Sequence, residues 1–184
     1  YGHDYFKNCK VVTRDPMEFV VAEGICGENT TWSLNSVGVL TISGSGAMAD
    51  YDTRTAPWQA YKSQIKKVVI GKDITYIGKF NFMQCNKLAE VVFEDSSKLE
   101  HIGWGAFGYC SALTEITIPA SVKELGWYAF YYCTGMKNVK FGDDSQLATI
   151  GGYAFWNDSA LTSVDVPEGA IAIGENAFLG TGIN

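Results

Sequence analysis

The sequence is poor in the residues from which most catalytic and metal-binding sites are built. Its 184 residues include only two histidines, His3 and His101, and its five cysteines form no Cys-x-x-Cys pair. Structural zinc sites need four Cys or His ligands in a characteristic spacing, and these residues complete no such ligand set. The glycine-rich stretch 44–46 is neither a phosphate-binding loop nor a nucleophile elbow. The sequence therefore predicts no catalytic residue, no cofactor and no metal, and it disfavours an enzyme.

Excess positive charge and long apolar runs are also missing. The chain has 14 Lys and Arg against 20 Asp and Glu, a net charge of -6, whereas nucleic-acid surfaces need clustered basic residues. No apolar run approaches the roughly 18 to 20 residues of a membrane-spanning helix. We therefore expect no nucleic-acid partner and no membrane insertion by this segment. Because the chain begins with Tyr1 instead of Met, we expect that an N-terminal segment was removed by processing or by design, and a secretory signal is one candidate for it.

What the sequence does contain is a repeat in a chain of 47% hydrophobic residues. An apolar residue, a glycine and, four residues after the glycine, a phenylalanine recur at intervals of 25, 23, 25 and 23 residues. The glycines are Gly78, Gly103, Gly126, Gly151 and Gly174, and the phenylalanines are Phe82, Phe107, Phe130, Phe155 and Phe178. A period in the twenties predicts a solenoid, in which each unit buries its apolar side against its neighbours.

Each unit also carries a short strand pattern. In Leu113-x-x-Ile116-x-Ile118 the last residues alternate between apolar and polar, as expected of a half-buried strand. Equivalent positions recur in the other units, including Leu161, Val164 and Val166 in the last. We expect these strands to form one continuous parallel sheet. The Ala-Phe segments require helical or turn conformations on the opposite side.

The repeat divides the chain into three parts. Residues 1–22 carry no pattern that we assign, residues 23–64 form an N-terminal cap, and residues 65–184 form the solenoid of about five repeats. In the cap, segments 31–34 and 39–42 predict a hairpin with Gly38 at the turn, and Pro57 opens a short helical stretch. The last unit stops before another strand. We expect the chain to be a fragment of a longer array or to bury this unit against another copy.

Three cysteines share one position of the repeat. Cys85, Cys110 and Cys133 each follow the phenylalanine by three residues, which predicts a column of buried thiols. Outside the repeat, the sequence does not decide whether Cys9 and Cys26 form a disulfide.

Two repeats have longer acidic links, Glu94–Lys98 and Asp143–Ser145. Each link offers two carboxylates, and the two links lie two units apart, roughly 10 Å at ~4.8 Å per strand. Solvated turns are favoured over a calcium site, because calcium takes six to eight oxygen ligands.

The unit from Ile102 to Val122, with its Gly-Ala-Phe-Gly-Tyr-Cys and Ile-Thr-Ile-Pro segments, resembles the BspA-type leucine-rich repeats of bacterial surface proteins. The segment from Cys26 to Trp58 is similar to the region that precedes those repeats, so the resemblance covers residues 24–184. It implies a right-handed leucine-rich-repeat solenoid with a parallel sheet on one face, short helices or turns on the other and an N-terminal β-hairpin cap. It also implies a secreted or cell-surface location, and adhesion to host matrix or plasma proteins in some members.

The sequence places two candidate binding surfaces on this solenoid. The first is the outward side of the sheet, where we expect a protein partner; a plain solvated face is the alternative. Its residues are Lys66, Lys67, Glu90, Val92, Thr114, Glu115, Thr117, Lys137, Asn138, Lys140, Thr162, Ser163 and Asp165. The second is a set of aromatic residues beside the Ala-Phe turns, which would suit a glycan or would pack between units: Trp104, Trp127, Tyr128, Tyr153 and Trp156. A purely structural spacer of a larger surface protein is a further alternative.

Overall fold

A computed structural model describes residues 18–183, which form a solenoid built from short strands and tight turns. The strands are β1 (Val20–Gly27), β2 (Thr30–Asn35), β3 (Val39–Gly44), β4 (Gly46–Ala47), β5 (Lys67–Ile70), β6 (Ile74–Ile77), β7 (Glu90–Phe93), β8 (His101–Ile102), β9 (Glu115–Ile118), β10 (Glu124–Leu125), β11 (Asn138–Phe141), β12 (Thr149–Ile150) and β13 (Ala172–Ile173). Only one helical segment occurs in the described residues, a single 3-10 turn at Gln59–Tyr61.

The cap is an antiparallel sheet that leads directly into the solenoid. β2 and β3 form the expected hairpin, and Gly38 at its turn has a φ of 91°, which glycine adopts without steric cost. β1, which the sequence did not reveal, pairs antiparallel with β2. β3 pairs parallel with β5, with Leu40 opposite Val68. The cap therefore supplies a strand edge on which the first repeat is built.

Each repeat forms one rung with three parts. The front sheet contains one strand from each of four rungs, β5, β7, β9 and β11, and β3 of the cap. The side ladder is a continuous six-stranded parallel sheet formed by β4, β6, β8, β10, β12 and β13. Between the side ladder and the next front strand, the chain makes the tight turns that carry the Ala-Phe pairs. We name the surface of these turns the turn face; it consists of turns and not of helices.

The expectation of one continuous front sheet is wrong. β5 pairs with β7 and β9 pairs with β11, but within residues 18–183 no ladder joins β7 to β9. The predicted strand through Val164 and Val166 also does not form. The hydrogen-bond ladder of the front sheet therefore has two breaks, which we name seams. The first seam lies before β9 and the second before residues 163–166.

Both seams precede a segment that ends in proline. The residue that follows a paired front strand donates its backbone N–H to the preceding rung. Glu94 donates to the Ile70 oxygen at 3.0 Å, and Gly142 donates to the Ile118 oxygen at 2.9 Å. Pro119 and Pro167 occupy this position in their rungs and have no N–H to donate. The missing donor accounts for one lost bond at each seam.

The core contains a column of phenylalanine rings along the solenoid axis. Neighbouring rings stack with centroids 5.1 to 5.3 Å apart, from Phe82 through Phe107, Phe130 and Phe155 to Phe178. Trp58 of the cap stacks on Phe82 at 5.5 Å and donates its indole N–H to the backbone carbonyl oxygen of Asn81. Burying each ring contributes roughly 1.5 to 3 kcal/mol. Trp58 therefore closes the apolar end of the column.

The cysteines form the expected buried column beside the phenylalanines. Cys85, Cys110 and Cys133 are at most 1% exposed. The Cys110 thiol donates to the Phe82 oxygen at 3.2 Å, and Cys133 donates in the same way to the rung before it at 3.1 Å. Burial raises the pKa of the Cys85 thiol to about 12. Cys9 lies outside the described residues, so its disulfide with Cys26 stays a prediction.

Asp158 takes the cysteine position in the next rung and is fully buried. Its Oδ1 accepts the Cys133 backbone N–H at 2.7 Å, whereas Oδ2 has no hydrogen-bond partner. Desolvation by burial raises the pKa of Asp158 to about 8, and the bond from Cys133 opposes that shift. At neutral pH the carboxyl group is therefore mainly protonated.

Candidate functional site

The first set of candidate residues lies mostly on or beside the front strands. Lys67 and Val92 are half-buried, and the remaining members of the set are exposed. In the ladder register Lys67 lies opposite Glu90, and Thr117 lies opposite Lys140. Thr162, Ser163 and Asp165 lie beyond β11, in the segment without strand pairing.

Ion pairs between rungs neutralise part of the charge on this face. Lys67 Nζ lies 2.9 Å from Glu90 Oε1, and Lys140 Nζ lies 3.7 Å from Glu115 Oε2. All four side chains are at least 35% exposed, so each pair contributes little stability. These pairs orient charged groups on the surface without removing them from solvent.

A cleft of about 580 Å³ opens at the first seam, between β7 and β9. Its floor contains Val91 and Phe93, which are half-buried although the equivalent Val68 and Ile70 are fully buried. Its walls carry Glu90, Glu94 and Glu115, and no Lys, Arg or His lines it. The cleft is therefore apolar at its base and negatively charged at its rim.

The two strands that border the cleft expose backbone hydrogen-bonding groups. In paired rungs the N–H of Glu90 donates to the Lys66 oxygen, and that of Asn138 donates to the Thr114 oxygen, each at 3.3 Å. Alternate residues of a parallel strand direct their backbone groups to the same neighbour. The N–H and C=O groups of Glu115 and Thr117 therefore point towards β7, where the described chain offers them no backbone partner.

The second set of candidate residues forms one continuous aromatic surface on the turn face. Trp104 stacks on Tyr128 at 6.1 Å, and Tyr128 stacks on Tyr153 at 5.0 Å. Trp127 and Trp156 contact the same column, with centroids 6.3 and 5.5 Å from that of Tyr153. Trp104 and Trp127 are each 47% exposed. The structure thus brings together all five aromatic residues that the sequence selected.

Four tyrosines of the turn face have backbone conformations that favour glycine. Tyr109, Tyr128, Tyr132 and Tyr153 have φ values from 57° to 60°. A residue with a Cβ pays roughly 1 to 2 kcal/mol in this region. The tyrosine rings offset this cost through stacking; Tyr109 and Tyr132, for example, are 5.0 Å apart. This second pair extends the aromatic surface and was not selected from the sequence.

The acidic links do not assemble a metal site. Within residues 18–183, no three His, Cys, Asp or Glu side chains lie close enough together to hold an ion. In the first link, Glu94 Oε2 accepts the Lys72 backbone N–H at 3.0 Å and Ser97 Oγ accepts the Leu99 N–H at 3.3 Å. The Ser97 bond is a local turn bond of the kind expected of Ser in loops, and the Glu94 bond joins this link to the preceding rung.

A stack of parallel rungs with an apolar column and one open strand face defines a solenoid of the leucine-rich-repeat class. The chain belongs to the BspA type leucine-rich repeat family, whose model matches residues 59–184 in six copies. The described part of the chain contains no helix that is long and apolar enough to cross a membrane. No curated protein matches the chain.

Solved structures of bacterial proteins share this fold. The chain is 22% identical to the pneumococcal vaccine antigen PcpA, with a TM-score of 0.59 over 85% of this chain and 47% of that one. It is 21% identical to a leucine rich cell surface protein from Faecalibacterium prausnitzii A2-165, with a TM-score of 0.53 over 93% of this chain and 56% of that one. The chain thus spans about half the length of these proteins.

Proposed function

We propose that this chain is an extracellular or cell-surface recognition module that binds a protein partner through the front sheet. The observation that carries the proposal is the cleft between β7 and β9, because it combines free backbone groups, an apolar floor and a charged rim on one exposed face. Membership of the BspA-type family supports protein binding. The name of the Faecalibacterium protein supports the surface location.

Adhesion to host matrix or plasma proteins is the specific form of this function that we propose to test. Immobilised matrix and plasma proteins are presented to the chain, and binding is followed by surface plasmon resonance. The front-sheet variant carries Glu90→Lys and Glu115→Lys at the rim of the cleft. The control variant carries Glu100→Lys and Glu124→Lys, which change the same charge at exposed carboxylates outside the front sheet.

The proposal expects the front-sheet variant to bind at least about tenfold more weakly, mainly through a slower association rate, because charge complementarity acts most strongly on encounter. The control variant should bind as the wild type does. Equal binding by all three proteins would exclude the front sheet as the contact surface. Absence of binding to every presented protein would favour the spacer role instead.

The aromatic surface supports a second candidate function, glycan binding. Exposed rings that lie flat suit stacking against the apolar face of a sugar, and Trp104 and Trp127 are the most exposed rings of this surface. A glycan array compares the wild type with Trp104→Ala and Trp127→Ala. Binding that both substitutions abolish would support this function, and an array without any signal would reject it.

A further inference from the structure

We infer that the cleft between β7 and β9 binds an extended segment of a partner protein, which adds to the exposed strand edge with basic side chains outward and apolar side chains inward. This inference rests on the proposed function, since it specifies how the front sheet would recognise a protein. It assigns the partner by the chemistry of its bound segment, an alternating apolar and basic strand.

The backbone of the cleft suits a strand more than a folded surface. Glu115 and Thr117 direct N–H and C=O groups into the cleft, and β7 exposes the complementary edge opposite them. Unpaired strand edges bind extended peptides through main-chain hydrogen bonds. Each bordering strand has four residues, about 13 Å at ~3.3 Å per residue. The exposed edge is therefore long enough to pair with a segment of four to five residues.

The side chains of the cleft select the sequence pattern of that segment. In a strand, successive side chains point to opposite faces, so one set would contact Val91 and Phe93 on the floor. The other set would lie at the rim among Glu90, Glu94 and Glu115, whose three carboxylates outnumber the two lysines paired with them, Lys67 and Lys140. Apolar residues that alternate with Lys or Arg match both surfaces.

The second seam shows why the first is the better site. It opens a smaller cleft, of about 370 Å³, whose lining includes Lys140 together with Asp144 and Asp165. Its own lining contains a lysine, and the segment at 163–166 forms no strand to act as one of its edges. The second seam therefore provides an internal control.

The test uses a fluorescent hexapeptide of alternating valine and lysine, capped at both ends, and follows binding by fluorescence anisotropy. A second peptide has the same sequence but carries N-methyl groups on alternate backbone amides. It keeps the charge and the side chains and loses donors to the strand edge. We expect saturable binding of the first peptide and at least about tenfold weaker binding of the second, the effect of losing about one hydrogen bond of 1.4 kcal/mol.

Variants of the protein separate the cleft from general attraction to an acidic chain. Pro119→Gly supplies the missing N–H and should close the first seam, which would weaken peptide binding at least about tenfold. Pro167→Gly makes the same change at the second seam and should leave binding within twofold. A charge variant, Glu90→Gln with Glu115→Gln, should also weaken binding, whereas Glu100→Gln with Glu124→Gln on the side ladder should not.

Three results would overturn the inference: no saturable binding, equal binding of both peptides, or equal effects of the cleft and control variants. If Pro119→Gly fails to fold, as judged by its thermal melt, the charge variants still decide. These failures differ from failure of the proposed function. If a protein partner binds the front sheet of the wild type and of the Pro119→Gly variant with the same affinity, the proposed function stands. The cleft is then rejected as the binding site.

Discussion

Replacement of Asp158 by asparagine should abolish an unusual pH dependence of stability. Asp158 is fully buried, accepts the Cys133 N–H through Oδ1 and leaves Oδ2 without a partner. Asparagine has nearly the same shape, keeps the accepting oxygen and cannot ionise. The variant therefore removes the titration and preserves the packing.

The direction of this pH dependence follows from the raised pKa of Asp158. The pKa of Asp158 is about 8 in the folded chain against an ordinary value of 3.8. Between these two values the folded protein holds a proton that the unfolded chain releases, so the free energy of unfolding falls as pH rises from about 4 to about 8. Below this window the contribution is fully present, and above it no further loss occurs. Each pH unit corresponds to about 1.4 kcal/mol, or about 4 kcal/mol between pH 5 and pH 8.

The assay is urea denaturation of both proteins from pH 5 to pH 9, followed by circular dichroism. Other ionisable groups cancel in the difference between the two proteins. Between pH 5 and pH 8, we expect the free energy of unfolding of the asparagine variant to rise by about 4 kcal/mol relative to that of the wild type. Above pH 8 we expect no further change in this difference. Asp158→Cys, which restores the thiol of the other rungs, should show the same flat profile. A difference that stays constant within about 0.5 kcal/mol across this range would refute the reasoning.

Three further predictions concern the core and the last rung. Phe107→Ala should cost about 3 to 5 kcal/mol and destabilise neighbouring rungs; a thermal melt within a degree of the wild type would contradict this. Cys85, Cys110 and Cys133 should resist alkylation at pH 8 in the native protein and react after denaturation, as mass spectrometry would show; rapid native labelling would rule out a buried column. Ile171, which is 87% exposed, should promote self-association, so Ile171→Lys should reduce concentration-dependent light scattering, and a wild type that scatters as a monomer at every concentration would reject the contact.

The solenoid could be predicted because its core is repetitive. Apolar side chains such as Phe107 and Ile116 return at a fixed period, and only stacking of the units buries them. The hairpin of the cap could also be predicted, because Gly38 separates two alternating segments. The cysteine column followed from the same register. Each of these features depends on local patterns that recur along the chain.

The seams were not predicted because they depend on hydrogen bonds between rungs. The apolar pattern of β9 is the same as that of β7, and the difference lies in whether the next residue has an N–H. Pro119 and Pro167 were visible in the sequence and were the available signal. The exposure of Trp104 was equally hidden, since Trp104 and the buried Phe107 are both large and apolar, and the conformation of the turn decides which of them faces solvent.

The measurement that tests the central claim most directly is amide hydrogen exchange of the front sheet, resolved by residue with NMR. The claim is that the recognition face has an open strand edge at β9. We predict fast exchange for the N–H groups of Glu115 and Thr117, which face the cleft, and slow exchange for those of Asn138 and Lys140, which pair with β9. Equal protection of both pairs would show that β7 and β9 are hydrogen-bonded in solution, and it would contradict the account.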